Sequence, residues 1–157
     1  MIKNETRLLL CLALCTGFFS GVWAWLAVQL LLMSWIGFLG CTTYFAIQSK
    51  GLSGLCRGIA ANVSGASWAV AAIALTASLG LVYAAAITGV ISFMMCAQSR
   101  LRALCFVPGS FMGACAVFGS QSGWLLVIST LSLGGIFGFL MHYTGTWLAS
   151  RWESVSN

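Results

Sequence analysis

The sequence predicts an all-α membrane protein with six transmembrane helices arranged as three helical hairpins. The first observation is composition: 61% of the 157 residues are hydrophobic and 6% are charged, with a mean hydropathy of +1.01. Soluble domains carry about 25% charged residues, so lipid is the solvent that suits this surface. The second observation is spacing, because the charged residues leave three uncharged stretches at 8–49, 58–99 and 103–150.

Each uncharged stretch has the length of two membrane crossings. One crossing takes about 20 residues at a rise of about 1.5 Å per residue, so each stretch accommodates two helices and a tight turn. Together the spans form a single integral membrane domain over residues 1–157, without a soluble module. The expected spans are approximately 8–28, 32–49, 58–76, 80–98, 103–119 and 124–149.

The outer turns of the hairpins are expected at Gln29–Trp35, Thr76–Gly80 and Gly119–Gly123. The last of these is the most polar turn in the chain. Indole rings favour the membrane interface. The tryptophans near the first outer turn are therefore expected at that interface: Trp23, Trp25 and Trp35.

The basic residues predict the orientation. An even number of crossings between basic clusters returns every cluster to the same side, and the positive-inside rule makes that side the cytoplasm. Both termini are therefore expected to be cytoplasmic. The net charge of +5 is interpreted as a topology signal and a contact with the lipid bilayer, not as nucleic-acid binding. The residues concerned are Lys3, Arg7, Lys50, Arg57, Arg100, Arg102 and Arg151.

The cysteines are interpreted as small polarizable packing residues. They are odd in number and contain no CxxC pair, and a metal site usually adds histidine ligands, of which the chain has one. No metal and no cofactor are expected. The seven are Cys11, Cys15, Cys41, Cys56, Cys96, Cys105 and Cys115.

Small residues spaced four apart form the clearest internal pattern. Such pairs lie on one face of a helix and allow close backbone approach in a membrane. Dense packing of the six helices within one chain explains the pattern, and so does a homo-oligomer interface; both interpretations stay open. The pairs are Gly17/Gly21, Ala61/Gly65, Gly109/Gly113 and Gly134/Gly138.

Three polar features within the spans are candidates for a solute path. Asn62 and Ser64 lie in the third span, where an asparagine is expected to bond another helix or line a wet cavity. Pro108-Gly109-Ser110 interrupts the fifth span, either as a broken helix that forms a solute site or as a simple kink or helix start. Equal depth from Arg57 and Arg102 suggests that Asn62 approaches Pro108–Gly109, where the amide donates to the Leu104 carbonyl or the two groups share a solute or water.

His142 is the third candidate, because ionisable groups inside a membrane are functional hypotheses by default. A neutral histidine near the cytoplasmic interface is the simpler interpretation. The residues available for catalysis are few: the chain has no aspartate, and both glutamates lie in the tails. A membrane hydrolase needs a nucleophile with a base, or metal ligands. The chain is therefore not expected to be an enzyme.

The sequence shows only weak similarity between its three predicted hairpins. Residues 20–24 (SGVWA) and 64–69 (SGASWA) look alike, and 112–116 (MGACA) is more distant. Their distances from the preceding arginine differ, so a hairpin repeat would not preserve its register.

Several stretches resemble the YcdZ-type inner-membrane proteins of bacteria. Residues 20–25 and 32–42 look like the first hairpin of that family, and 106–116 (FVPGSFMGACA) and 133–138 (LGGIFG) look like its C-terminal half. The resemblance covers almost the whole chain. It implies a multi-pass protein of the bacterial inner membrane and supplies no catalytic residues.

Two functions fit these features. The first is a small channel or transporter for a neutral or weakly charged solute, which is expected to assemble from several copies. The second is a non-transporting membrane protein that acts through helix–helix contacts with partners. A continuous polar stripe through the bundle would favour the first, and a dry core with a small-residue face outside would favour the second.

The topology is testable with reporter fusions. Fusions at Ser78 and Ser122 should be active as periplasmic enzymes, and fusions at Lys50 and Asn157 should not, because two crossings separate each basic cluster from the next. A periplasmic Asn157 would contradict the six-span arrangement.

Overall fold

The computed structural model describes the backbone of residues 2–120 and 122–156, and the side chains of 5–120 and 122–153. The described chain is helical and contains no strand, which confirms the predicted all-α class. Lys3, Gln121 and Asn157 lie outside the described side chains. The six α-helices are α1 (Ile2–Gln29), α2 (Ser34–Ala46), α3 (Gly51–Leu79), α4 (Ala84–Ala97), α5 (Val107–Gly119) and α6 (Trp124–Ser156).

Four helical segments are long and apolar enough to cross a membrane: Glu5–Gln29, Gly51–Leu79, Leu81–Arg100 and Trp124–Glu153. Two short 3₁₀ turns, Leu81–Tyr83 and Gln98–Arg100, extend α4 to that length. Helices α2 and α5 have 13 residues each. At about 1.5 Å per residue each is about 20 Å long, less than the hydrocarbon thickness of about 30 Å.

Helix α5 begins at Val107, later than the start of the predicted fifth span at 103. Pro108 lies in its first turn, where a missing N–H costs nothing and the fixed φ suits a helix. The residue before a proline disfavours helical geometry, so the chain between Arg100 and Val107 does not join α4 to α5 as one helix.

The turn between α1 and α2 closes α1 with paired backbone hydrogen bonds. Leu31 adopts a left-handed conformation (φ 54°), the N–H of Leu32 donates to the Ala27 carbonyl at 2.8 Å, and the N–H of Leu31 donates to Val28 at 3.2 Å. This is a Schellman motif, which satisfies carbonyls at a helix end.

Trp23 supports the same turn from inside. Its side chain is 1% exposed, and Nε1 donates to the Ser34 carbonyl at 3.0 Å. Trp23 therefore lies at the level of this turn but faces the inside of the bundle. Trp25 and Trp35, which are 65% and 43% exposed, are the tryptophans of this region that remain available to lipid.

Helices α2 and α6 pack backbone against backbone. A Cβ on Gly40 would collide with the Leu131 carbonyl, and a Cβ on Gly134 would collide with the Gly37 carbonyl. Gly138 in turn lies against the backbone of Cys41. From the Gly37–Gly134 contact to the Cys41–Gly138 contact the residue number rises in both helices, so α2 and α6 run parallel.

Helices α3 and α5 pack in the same way. A Cβ on Gly113 would meet the Asn62 carbonyl, and one on Gly65 would meet the Ser110 carbonyl. Ala61 lies beside Gly109, so this pair is parallel too. The predicted hairpin arrangement is not confirmed, because the closest packing joins helices that are distant in sequence.

Helix α1 lies antiparallel along α6, with Leu12 against Gly145 and the rings of Phe19 and Trp23 against Phe137. An apolar core fills the space among α2–α6. It is built from Ile36, Ala66, Ala69, Ala72, Ile87, Ile91, Met95, Ala114, Ala116, Val117, Val127 and Leu131.

The glycine contacts predict a sharp contrast between two substitutions. Gly113→Ala should destabilise the protein by about 1–3 kcal/mol, because the added methyl group forces α3 and α5 apart. Gly89→Ala should be tolerated or slightly stabilising, because no atom lies within 4 Å of the added methyl group and alanine favours the helix. Unfolding in detergent measures both, and equal stability of the two variants would contradict the packing.

Candidate functional site

Asn62 lies at the contact of α2, α3 and α5. Its side chain is 1% exposed. The Thr43 hydroxyl donates to Asn62 Oδ1 at 2.9 Å and also lies 3.0 Å from the Leu39 carbonyl. Asn62 Nδ2 has no hydrogen-bond partner in the part of the chain that the structure describes. A buried donor without a partner costs about 1–3 kcal/mol, so a ligand or water that accepts from it would be stabilised there.

Gln98 organises a second polar cluster beside the first. Its Oε1 accepts from Ser64 Oγ at 2.6 Å and from Trp68 Nε1 at 3.0 Å. Its Nε2 donates to Ser110 Oγ at 3.0 Å. One amide therefore ties the end of α4 to both α3 and α5, and Ser110 is 0% exposed.

Sequence reasoning missed Gln98. It sits next to Ser99 and Arg100, which made it look like a residue of the cytoplasmic turn. A glutamine at the end of an apolar span is itself a signal, because its four hydrogen-bonding positions need partners wherever water is scarce.

Pro108, Gly109 and Ser110 form the first turn of α5 and not a break within a helix. A Cβ on Gly109 would lie 3.0 Å from the Ala61 Cβ and 2.8 Å from the Phe106 ring. The first turn of α5 therefore lies against α3, as the predicted approach of Pro108–Gly109 to the third span requires. The predicted bond from the Asn62 amide to the Leu104 carbonyl is wrong, because Asn62 Nδ2 has no partner among the described residues and Leu104 lies outside any helix.

His142 lies on the other side of α2, away from these clusters. Its ring is half-buried and stands 6.0 Å from the Tyr44 ring. Lys50 lies close by and donates through Nζ to the Phe45 and Ile47 carbonyls at 2.9 and 2.8 Å. Lys50 thus caps the C-terminal end of α2, where a cation is favoured by the helix dipole. Partial burial lowers the pKa of Lys50 from its ordinary value.

A cavity of about 410 Å³ opens where α2 ends and α3 and α5 begin. It is here called the inner vestibule, a label for the end of the bundle that carries the basic residue Arg57. Ala46 lines it from the last turn of α2, residues 47–49 from the turn that follows, Arg57 from α3, and Cys105 and Phe106 from the segment before α5. Ala46 is one helical turn beyond Thr43, and Arg57 is little more than one turn before Asn62. The Asn62–Thr43 pair therefore lies close beneath the vestibule, with the Phe106 ring against Gly109 and Ala61.

The predicted packing glycines divide into two groups. Gly65, Gly113, Gly134 and Gly138 lie at backbone contacts between helices, whereas Gly17 and Gly21 have no neighbouring atom within 4 Å. Among the described residues, the Cβ positions of Gly17 and Gly21 therefore face open space rather than another helix. All seven cysteines are free thiols, with Cys11 and Cys41 buried.

Six apolar helices around two buried polar clusters define a small polytopic helical membrane protein. The chain belongs to the DUF1097 family, described as a protein of unknown function, whose sequence profile matches residues 13–146. This membership agrees with the resemblance to the YcdZ-type proteins.

Three relatives support the membership. Inner membrane protein YcdZ of Escherichia coli strain K12 is 48% identical over 148 residues, which cover 92% of this chain and 90% of that protein. Inner membrane protein YcdZ of Salmonella typhimurium strain LT2 is 47% identical over 153 residues, covering 96% and 95%. Uncharacterized protein YahC of Escherichia coli strain K12 is 31% identical over 121 residues, covering 73% of each chain. No solved structure matches this chain.

The Gln98 cluster predicts a measurable contribution to stability. Gln98→Ala should lower the free energy of unfolding by about 1–2 kcal/mol, because three interhelical hydrogen bonds are lost at about 0.6 kcal/mol each. Gln48→Ala, at an exposed position, is the matched control and should change it little. Equal stability of the two variants would show that the cluster does not hold α4 in place.

Proposed function

We propose that this protein is a carrier for a small neutral or weakly charged solute, with Asn62 at the binding site. The observation that carries the proposal is the unpartnered Nδ2 of a side chain that is 1% exposed. In a membrane, a polar group of this kind is expected to face a partner helix or a water-filled cavity. The inner vestibule close above it supplies the route from the cytoplasm.

The charges of the site support a solute of low charge. The contacts described for Asn62 are the Thr43 hydroxyl, on its side chain, and Gly113 of α5, on its carbonyl, and neither is ionic. Arg57 lines the vestibule rather than the pair beneath it. A solute that accepts a hydrogen bond from an amide N–H and carries little charge matches these contacts.

A carrier is proposed rather than an open channel because the other half of the bundle is dry. Ile36, Ile87, Val117 and Val127 belong to an apolar core in which each side chain is at most 8% exposed. Such a core leaves no continuous polar stripe toward the opposite membrane face. A solute at Asn62 would therefore need a conformational change to leave on that side.

The proposal includes six crossings with both termini cytoplasmic. Helices α2 and α5 are short, but each runs parallel to a long helix, which the alternation of six crossings requires. The apolar residues that flank them, such as Leu30–Met33 and Leu104–Phe106, fill the remaining thickness. Catalysis forms no part of the proposal.

A dry core with a small-residue face outside is the pattern expected for the second function, so that function has two observations in its favour: the apolar core just described and the outer face of α1. Gly17 and Gly21 stand on an open face of α1 with no atom within 4 Å, and small residues of this kind are suited to close helix association. A protein acting through helix–helix contacts, including contacts with a second copy, would use this face. Solute flux distinguishes the two functions.

Flux into proteoliposomes tests the carrier. A panel of small neutral and weakly charged solutes should include one that enters faster with the protein than without it. Asn62→Leu should lower that flux by roughly tenfold or more, since the amide donor is lost in the bound state. Thr130→Val is the matched control, because Thr130 is equally buried and its hydroxyl donates to Leu126 within its own helix. Flux that is absent for the whole panel, or unchanged by Asn62→Leu, would contradict the proposal.

A further inference from the structure

The two backbone contacts described above are copies of each other. In the α2–α6 contact, Gly40 meets the carbonyl of Leu131 and Gly134 meets that of Gly37. In the α3–α5 contact, Gly113 meets the carbonyl of Asn62 and Gly65 meets that of Ser110. The first contact becomes the second when α2 is replaced by α5 and α6 by α3, with one constant shift in residue number for each replacement.

The sequence carries the same correspondence. In this register Gly37-Phe38-Leu39-Gly40 matches Ser110-Phe111-Met112-Gly113, and Gly65-Ala66 matches Gly134-Gly135. The lengths agree as well: α2 and α5 are short, and α3 and α6 are long. Helices α1–α3 and α4–α6 are therefore two structural repeats, each of which packs its short helix onto the long helix of the other.

Repeats of three crossings have opposite orientations in the membrane. Such inverted repeats are related by a pseudo-two-fold axis in the membrane plane, and transporters built from them place the solute site between the repeats. Asn62 fits this position, because its side chain bonds Thr43 of its own repeat while its carbonyl faces Gly113 of the other.

The two repeats differ at one pair of corresponding positions, which lie at opposite ends of the molecule. At the inner end, Ala46 lines the inner vestibule, and the residue that corresponds to Trp35 is the small Pro108. At the outer end, Trp35 lies across Gly119, the counterpart of Ala46, with ring atoms at 3.0 and 3.7 Å from the position of a Cβ. The Trp35 ring occupies the space that is open on the inner side.

We propose that the protein has a second, outward-facing vestibule that the Trp35 ring closes, and that the two repeats exchange conformations to open one vestibule while the other shuts. The outer vestibule consists of the counterparts of the inner one: Leu32, Met33, Ser120 and Leu126. The proposal rests on the carrier function above. Trp35 is 43% exposed, so its ring has room on the lipid side into which it can swing.

Thiol labelling from one side of the membrane tests the exchange without requiring a known solute. The exposed Cys56, Cys96 and Cys115 are replaced by serine. One protein keeps Cys105 as the inner probe, and another carries Leu32→Cys, its counterpart, together with Cys105→Ser. A charged methanethiosulfonate that does not cross lipid is added either to whole cells or to inverted vesicles. Val82→Cys, at a 91% exposed position of the α3–α4 turn, is the control for the outer side.

The expected result is reciprocal. With Trp35 present, Cys105 reacts from the inside and Leu32→Cys reacts slowly from the outside. Trp35→Ala should raise the rate at Leu32→Cys roughly tenfold and lower the rate at Cys105, because the two states share one equilibrium. Adding Pro108→Trp, which copies the outer arrangement at the inner end, should protect Cys105 further. Trp35→Phe serves the same purpose if Trp35→Ala fails to fold.

Two results would overturn the exchange. Labelling at Leu32→Cys that is indifferent to Trp35 would show that the ring closes no vestibule. If Trp35→Ala raises the labelling rate at Leu32→Cys but leaves the rate at Cys105 unchanged, the outer side has opened without any exchange between the two vestibules. Reciprocal labelling without flux of any tested solute would sink the carrier function and leave the exchange standing. Flux that depends on Asn62, without reciprocal labelling, would support the carrier function and overturn the exchange.

Discussion

Backbone-to-backbone approach at four glycines is the constraint on which the rest of the structure depends. Lipid tails are as apolar as leucine, so helices in a membrane gain little from burying large side chains against each other. Contact between backbones supplies dispersion and weak Cα–H···O contacts instead, and both require that no Cβ intervene. Because Gly40, Gly134, Gly65 and Gly113 meet carbonyls directly, the short helices α2 and α5 have fixed positions, and every polar cluster is built around them.

The hydroxyl groups show how this packing isolates the site. About half of the serines and threonines in the described helices donate to the carbonyl four residues earlier, as Ser67, Thr88 and Ser129 do. Such local bonds satisfy the group without creating a demand on another helix. The side-chain amides of Asn62 and Gln98 have no equally complete local solution. They accordingly lie where three helices meet, and there the structure concentrates its interhelical hydrogen bonds.

The sequence predicts the all-α class and the positions of the three outer turns well, because both depend on local physics. Charge spacing and turn residues place the α1–α2, α3–α4 and α5–α6 turns where the structure has them, and Pro108 marks the start of α5.

The sequence does not predict which helices pack against each other. Parallel contact between α2 and α6 depends on residues almost a hundred positions apart, and apolar helices offer no periodic pattern that selects one partner over another. The likeness between the first two SGxxW-like stretches pointed to hairpin repeats, whereas the structural repeats are sets of three helices. Gln98 was missed for a related reason: its partners lie on two other helices, and its own neighbours are the polar residues of a turn.

The separation of α2 from α6 also orders events during synthesis. Helix α3 finds α5 after one intervening helix, but α2 leaves the ribosome long before the glycine face of α6 exists. Until then α2 has few close partners, and its 13 residues are too short to be held firmly by lipid alone. Helices α1–α3 therefore lack most of their packing partners while the rest of the chain is being synthesised. Completion of the fold depends on α6, so the α2–α6 contact that fixes the fold forms only after α6 has been synthesised.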